Sequence, residues 1–346
     1  MSAPQLHRPH SPHSPHSHFR HLATATTVAA VAVIATLALV GCAPTATAGV
    51  QHPSPTATSL SIDNCGTAVE FTAAPKRVIT IKSTSTEMLL ALGLGDRIIG
   101  TAFPDGPVPA KWQTAAAKLP VLSDKVPSQE AVLAATPDLV YGGWESNFSA
   151  DGAGNRAELQ ALGIRSYVSP SACKEAAFQP KQLGFTDVFQ EIEQVAAIFH
   201  VDSAKLIASQ RKTLASIKPS TKHLTALWFS SGSSVPYVGA GIGAPELIMK
   251  TAGLTNIAGS VKDTWTPYNW ESVIAANPDV IVLVDASWST VQKKIGVLEG
   301  NPATAALHAV KNHRYVIVPF AASEAGVRTV DAAADVVEQL AKLNLK

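Results

Sequence analysis

The sequence predicts an α/β protein built as two lobes joined by a single long helix, and three observations predict it. A phrase is repeated: "EAVLAATPDLV" at 130–140 returns as "ESVIAANPDVI" at 271–281, 141 positions later. Around each copy, β-branched apolar runs alternate with helical patterns, which is how βαβ units are spelled. Between the copies, "TDVFQEIEQVAAIF" and "VDSAKLIASQRKTLASI" read as helix, the second started by Asp202 or Ser203 and free of Gly and Pro until Pro219.

The N-terminus comes first in the chain and stands outside that fold. Residues 1–21 hold six of the eleven histidines with Arg8 and Arg20, ahead of "LATATTVAAVAVIATLALVGCA". A positive segment, an apolar segment and a small-residue exit make a secretory signal. The apolar stretch is also near the ~20 residues that span a bilayer, so an uncleaved anchor competes with it. What separates the two is "LVGC", Leu39 to Cys42, which resembles the bacterial lipoprotein signal. That resemblance implies cleavage after residue 41, diacylglycerol on Cys42, and a membrane-anchored chain facing the outside; two acyl chains suffice for stable anchoring. Residues 42–62 contain no Lys, Arg, Asp or Glu and read as a flexible tether. With Cys42 lipidated, Cys65 and Cys173 remain as an even pair in an oxidising compartment and are expected to be bridged, with two separate buried thiols as the alternative.

The N-terminal lobe is expected over 63–185. "RVITIKSTSTEMLLALGLGDRIIGTAF" gives strand, Ser/Thr loop, helix, Gly stop and strand. The first copy of the phrase adds a helix and a strand, and "NRAELQALGIRSYV" another pair. Linking helices occupy 186–220. The C-terminal lobe, 221–346, repeats the programme in "LTALWFSSGSSVPYVGAGIGAPELIMKTAG", "ESVIAANPDVIVLV" and "NHRYVIVP".

Composition narrows the function. Without Arg8 and Arg20 the chain keeps 25 basic residues against 26 acidic ones and has no basic run, which argues against nucleic acid as a partner. "GAGIGA" fits a relaxed dinucleotide fingerprint, but a lone match in the second half of an exported chain carries little. No G-x-S-x-G elbow is present, and His52, His200, His223, His308 and His313 fall outside the loops at the strand ends. A bare metal site wants three or four converging His, Asp or Glu ligands, so neither a resident metal nor a cofactor is expected, and no catalytic residue.

The lipoprotein signal, the "RVITIKSTSTEMLLALGLGDRIIG" opening and the twin E-x-V-x-A-A-x-P-D phrases together resemble the substrate-binding proteins of ABC importers for ferric siderophores and cobalamin. The resemblance covers about Pro75 to Leu343. It implies two Rossmann-like lobes on one long helix, the helical-backbone type of periplasmic-binding protein, acting as a monomer with a permease dimer and its ATPase subunits. It also implies that one glutamate per lobe, Glu130 and Glu271, docks on the permease. Ligand binds in that family between the lobes, at the carboxyl ends of the strands, where open α/β sheets bind. The segments there are aromatic and Gly-rich, and the expected lining is Lys82, Ser83, Thr84, Tyr141, Trp144, Trp228, Gly239, Gly241, Trp265 and Arg328. Lys82, Arg156, Lys174 and Arg328 are the cations available to an anionic ligand, and Gly239 to Gly243 before Pro245 offer backbone N–H groups to an anion.

The expected ligand is a ferric chelate or corrinoid. "TIKSTSTEMLLALGLGDRIIGTAFPDGPVP", "GWESNFSADGAGNRAEL" and "SPSACKEAAFQP" are also similar to an actinobacterial subgroup proposed to import the phospholactyl precursor of the deazaflavin coenzyme factor 420. A sensory or adhesion lipoprotein on the same fold is the alternative of a different class.

Overall fold

The computed structural model describes residues 59–343 and 345, so the signal segment, Cys42 and most of the tether lie outside the described residues. A hairpin opens the fold: β1 (Leu60–Asn64) and β2 (Thr67–Phe71), antiparallel, with Ile62, Asn64, Val69 and Phe71 buried. Residues 60–62, expected as tether, are therefore strand. Leu60 and Ile62 alternate with exposed serine and aspartate, and an uncharged run too short for a core by itself is held by its partner strand.

The N-terminal lobe follows as β3 (Val78–Ile81), α1 (Ser83–Ala91), β4 (Ile98–Ala102), α2 (Gln113–Ala116), β5 (Val121–Ser123), α3 (Gln129–Ala134), β6 (Leu139–Gly142), α4 (Arg156–Ala161) and β7 (Arg165–Val168). Its five strands are parallel in the order β5-β4-β3-β6-β7. Helix α5 (Phe185–Phe199) then leads out of the lobe, and at 15 residues it is about 22 Å long. His200 ends it in a left-handed conformation, φ 55°. Helix α6 (Ala204–Ser216) begins after Asp202, whose Oδ1 accepts from Ala204 N–H.

The second lobe comprises β8 (Leu224–Ser231), β9 (Tyr237–Gly239), α7 (Ala244–Thr251), β10 (Leu254–Asn256), β11 (Trp265–Pro267), α8 (Trp270–Ala276), β12 (Val280–Asp285), α9 (Val291–Gly300), α10 (Pro302–Ala305), α11 (His308–Lys311), β13 (Tyr315–Pro319) and α12 (Thr329–Lys342). Strands β10, β8, β12 and β13 are parallel, and β9 and β11 extend the sheet antiparallel. Helix α6 belongs to this lobe, since Gln210 Nε2 donates to Val327 O at the approach to α12. One apolar cluster runs from Met88, Leu89 and Tyr141 through Val188, Ile192 and Val195 of α5 to Trp228, Val282 and Val336. The lobes thus share a continuous core at the linking helix, which favours modest hinging over free swinging.

The repeated phrase is repeated structure. Ser128 and Asn269 cap α3 and α8 by accepting from the N–H groups of Ala131 and Ser272. Thr136 (φ 48°) and Asn277 (φ 40°) then turn the chain left-handed before Pro137 and Pro278. Asp138 accepts from the N–H groups of Lys76 and Arg77, and Asp279 from the N–H and hydroxyl of Thr225. Each aspartate so ties the start of β6 or β12 to the start of its parallel neighbour, β3 or β8.

Candidate functional site

The carboxyl ends of the two sheets face a cleft of about 450 Å³. Its wall is aromatic: Trp144 after β6, Tyr237 on β9, Trp265 on β11, Trp288 after β12 and Phe320 after β13. Phe320 is the hub, stacked on Trp265 at 5.9 Å between ring centroids and edge-on to Trp144 (5.8 Å) and Trp288 (5.1 Å). Tyr237 extends the stack on the far side of Trp265 at 6.4 Å. The polar lining includes Ser171, Gln179, Ser230, Thr264, Lys174 and Glu324.

Trp144 and Glu324 bind across the lobes, the indole N–H donating to Glu324 Oε2 at 2.8 Å. Burial pushes the Glu324 carboxyl up to about 7, while the Trp144 hydrogen bond and the Lys82 ammonium pull it back. Behind the wall, Lys82 is fully buried in an ion pair with Asp105, its ammonium 3.9 Å from the ring centre of Trp144, 4.0 Å from Phe103 and 4.8 Å from Phe320. Burial lowers its pKa, and Asp105 opposes the shift. Lys82 also holds φ 82°, a conformation costly for a side-chain-bearing residue, and the ion pair and rings around it hold it there.

Of the expected lining, Trp144 and Trp265 line the cleft and the rest do not. Trp228 is fully buried in the core between the sheet and its helices. Tyr141 is likewise core and donates its hydroxyl hydrogen bond to Glu191 Oε1. Ser83 is committed to Asp105, giving its N–H and accepting that residue's N–H on Oγ, and Thr84 packs under Gly143. A Cβ on Gly239 would meet Pro245 at 2.3 Å and one on Gly241 would meet Gly259 O at 2.1 Å, so both glycines permit close packing. The N–H groups of Ala240, Gly241 and Ile242 donate to the carbonyls of Thr264, Val261 and Asp263, so these three are not free for an anion. Arg328 pairs with Glu87 at 3.3 Å and faces a separate cavity of about 200 Å³. Arg156 is buried against Asn64 and Ser166. Tyr237, Trp288, Phe320 and Glu324 line the cleft outside the expected set, although the segments "YVGAGIG", "DASW" and "PFAASEAGVR" that contain them are the expected cleft loops.

Glu130 and Glu271 are both exposed, each the second residue of its capped helix. Cys65 and Cys173 are joined in a disulfide with 5.4 Å between Cα atoms. The bridge fastens the β1–β2 hairpin to the 170–179 loop, which supplies Ser171, Lys174 and Gln179 to the cleft.

Glu191 of α5 is buried, and its carboxyl is pushed up to about 7 by burial, with the hydroxyls of Ser169 and Tyr141 opposing the shift. A native value above the ordinary 4.5 means that the folded state holds the proton more tightly. That stabilisation is complete below about pH 4.5 and is lost as the pH rises through about 7. Glu191→Gln keeps an acceptor for both hydroxyls. It should leave Tm little changed near ~pH 5 and raise stability by about 2–3 kcal/mol near ~pH 8. Equal shifts at both pH values in thermal melts would show that Glu191 is not the titrating group.

Residues 78–322 match the family described as periplasmic binding protein. An uncharacterized ABC transporter substrate-binding lipoprotein of Bacillus subtilis, YvrC, is 24% identical over 276 residues, covering 77% of this chain and 80% of the relative. A periplasmic binding protein from Veillonella parvula superposes with a TM-score of 0.71 at 28% identity, over 83% of this chain and 99% of that one. An ABC-type Fe3+-hydroxamate transport protein from Saccharomonospora viridis does so at 0.72 and 25% identity, over 81% and 98%.

Proposed function

Because the chain belongs to the periplasmic binding protein family, we propose that it is the extracytoplasmic substrate-binding subunit of an ABC importer. It holds a bulky, ring-rich chelate, a ferric siderophore or corrinoid, between its lobes and delivers it to a permease dimer. The observation that carries this reading is the cleft: five aromatic side chains from both lobes enclose about 450 Å³, room for a small chelate or for part of a larger one. A bare metal ion would need several converging ligands, and the cleft wall offers Glu324 as its one carboxylate among the described residues. The metal is therefore cargo that arrives already chelated. The description of the S. viridis protein supports a ferric ligand.

Purified protein titrated with a ferric hydroxamate, a ferric catecholate and cobalamin should lose tryptophan fluorescence with at least one of them. Trp265→Ala should weaken that binding by about 0.5–1.5 kcal/mol beyond lost area, or up to roughly tenfold. Tight binding of free zinc or manganese, with none of the chelates changing the fluorescence, would overturn the reading.

Anchoring through Cys42 belongs to the same proposal and lies outside the described residues. Cys42→Ala should accumulate as a longer, unacylated precursor. Normal-sized mature protein in membranes of that variant would reject a lipid anchor at this position.

A further inference from the structure

Charged groups at the cleft are few and unevenly used. The four cations that an anionic ligand would seek are Lys82, Arg156, Lys174 and Arg328. Lys82 is paired with Asp105 behind the aromatic wall, Arg156 is buried against Asn64 and Ser166, and Arg328 is paired with Glu87. Lys174, exposed at the rim, is the one cation lining the cleft among the described residues. Lys293 and Lys294 line a neighbouring pocket beyond Trp288, where Lys294 donates to Ser289. Helix α7, whose start at Gly243 and Ala244 lines the cleft, already carries Glu246 in its first turn, where an anionic ligand would otherwise gain from the helix dipole.

Against this stands one carboxylate inside the wall. Glu324 is 8% exposed, and Trp144 satisfies only its Oε2. Oε1 is buried and accepts no hydrogen bond of ordinary geometry, the Trp265 indole being the donor group close enough to help stabilise the charged carboxylate. An unmet buried acceptor beside a ligand cavity calls for a donor, and a cation supplies the strongest one. The adjoining pocket, which shares Ser171, Cys173, Gln179 and Ala325 with the cleft, adds the acidic side chains Asp63, Asp187 and Glu191 and no basic one.

We infer that Glu324 makes this cleft a charge filter: it accepts neutral or cationic chelates, such as a ferric trihydroxamate bearing an ammonium arm, and disfavours anionic ones. The inference deepens the chelate reading above and rests on it. Above about pH 7 an anionic ligand would meet the ionised Glu324 at the aromatic wall; Lys82 behind the wall is already paired with Asp105, which leaves the rim lysine to offset the repulsion. A pendant ammonium would instead meet the unpartnered Oε1.

The test uses two probes with the same iron core. Ferrioxamine B is a ferric trihydroxamate with a pendant ammonium, and its N-succinyl derivative replaces that ammonium by a carboxylate. At about pH 8 the wild-type protein should bind the ammonium form at least about tenfold more tightly, a difference of about 1.4 kcal/mol. Glu324→Gln keeps the acceptor for Trp144 and should bring the two forms within about threefold of each other. Lys174→Glu, at an exposed position where folding is not at stake, should widen the ratio. Equal binding of the two forms by wild type, or a ratio unmoved by both substitutions, overturns the charge filter while leaving the chelate reading standing. If neither form binds but a ferric catecholate does, the filter also fails and the chelate reading survives. If no chelate binds, both fall.

Discussion

Replacing Glu130 and Glu271 together by lysine is expected to abolish uptake of the chelate in cells and to leave the affinity of the purified protein for it unchanged. The two carboxylates are exposed, stand at the same position of two helices each capped by a side-chain oxygen, and occur once per lobe. A permease of two related halves presents two equivalent sites, and a two-lobed protein set across it would need one carboxylate for each. Exposed ion pairs are worth only ~0–1 kcal/mol, so their use in docking lies in register and association rate. Like charges placed opposite one another cost about several kcal/mol. Reversal should therefore be far more damaging than truncation, and each single lysine variant should retain measurable uptake. Normal uptake in the double variant would leave the repeat as a structural corner only, and would favour the sensory or adhesion alternative. Neither glutamate touches the cleft, so a loss of ligand affinity would point to misfolding rather than to failed docking.

The fold was legible in the sequence because parallel strands and their helices write it in period and punctuation. The repeated phrase marks the same capped helix, left-handed turn and aspartate clasp in both lobes, and each of these parts has a side-chain chemistry that letters can show. The cleft was legible only by segment. Strand β8 is buried along nearly its whole length and β6 at every residue, so neither has the alternation that would tell an inward face from an outward one. Trp228 and Tyr141 were for that reason indistinguishable from wall residues, although both close the core. The fate of the cations was hidden for a different reason. Lys82 meets Asp105 from the next loop and Arg328 meets Glu87 from 241 residues away, and pairing across such distances leaves no local pattern. Glu324 was hidden by its neighbours: in "PFAASEAGVR" a single acid among small residues reads as a solvated loop, yet it is buried against Trp144.

Loss of the Cys65–Cys173 bridge should lower stability substantially. The bridge closes a loop of 108 residues, for which chain entropy gives up to about 4–5 kcal/mol. Native interactions hold the same hairpin independently. Asn64, next to Cys65, exchanges hydrogen bonds with Val168 and accepts from Arg156 at both its backbone and side-chain oxygens, and the Phe178 ring lies over Gly66. These contacts should keep the hairpin in place in the native state, so most of the bridge's effect falls on the unfolded chain and the double alanine variant should still fold. Its Tm should drop by about ten degrees, at roughly 2–4 °C per kcal/mol for a chain of this size. A smaller loss of ligand affinity should accompany it, because the bridged loop carries Ser171, Lys174 and Gln179 into the cleft. Wild-type protein held in excess reductant should match the variant in both respects. If melting and affinity are instead unchanged in the variant, the Asn64 and Arg156 contacts alone suffice to hold the hairpin and the loop-closure argument fails for this chain.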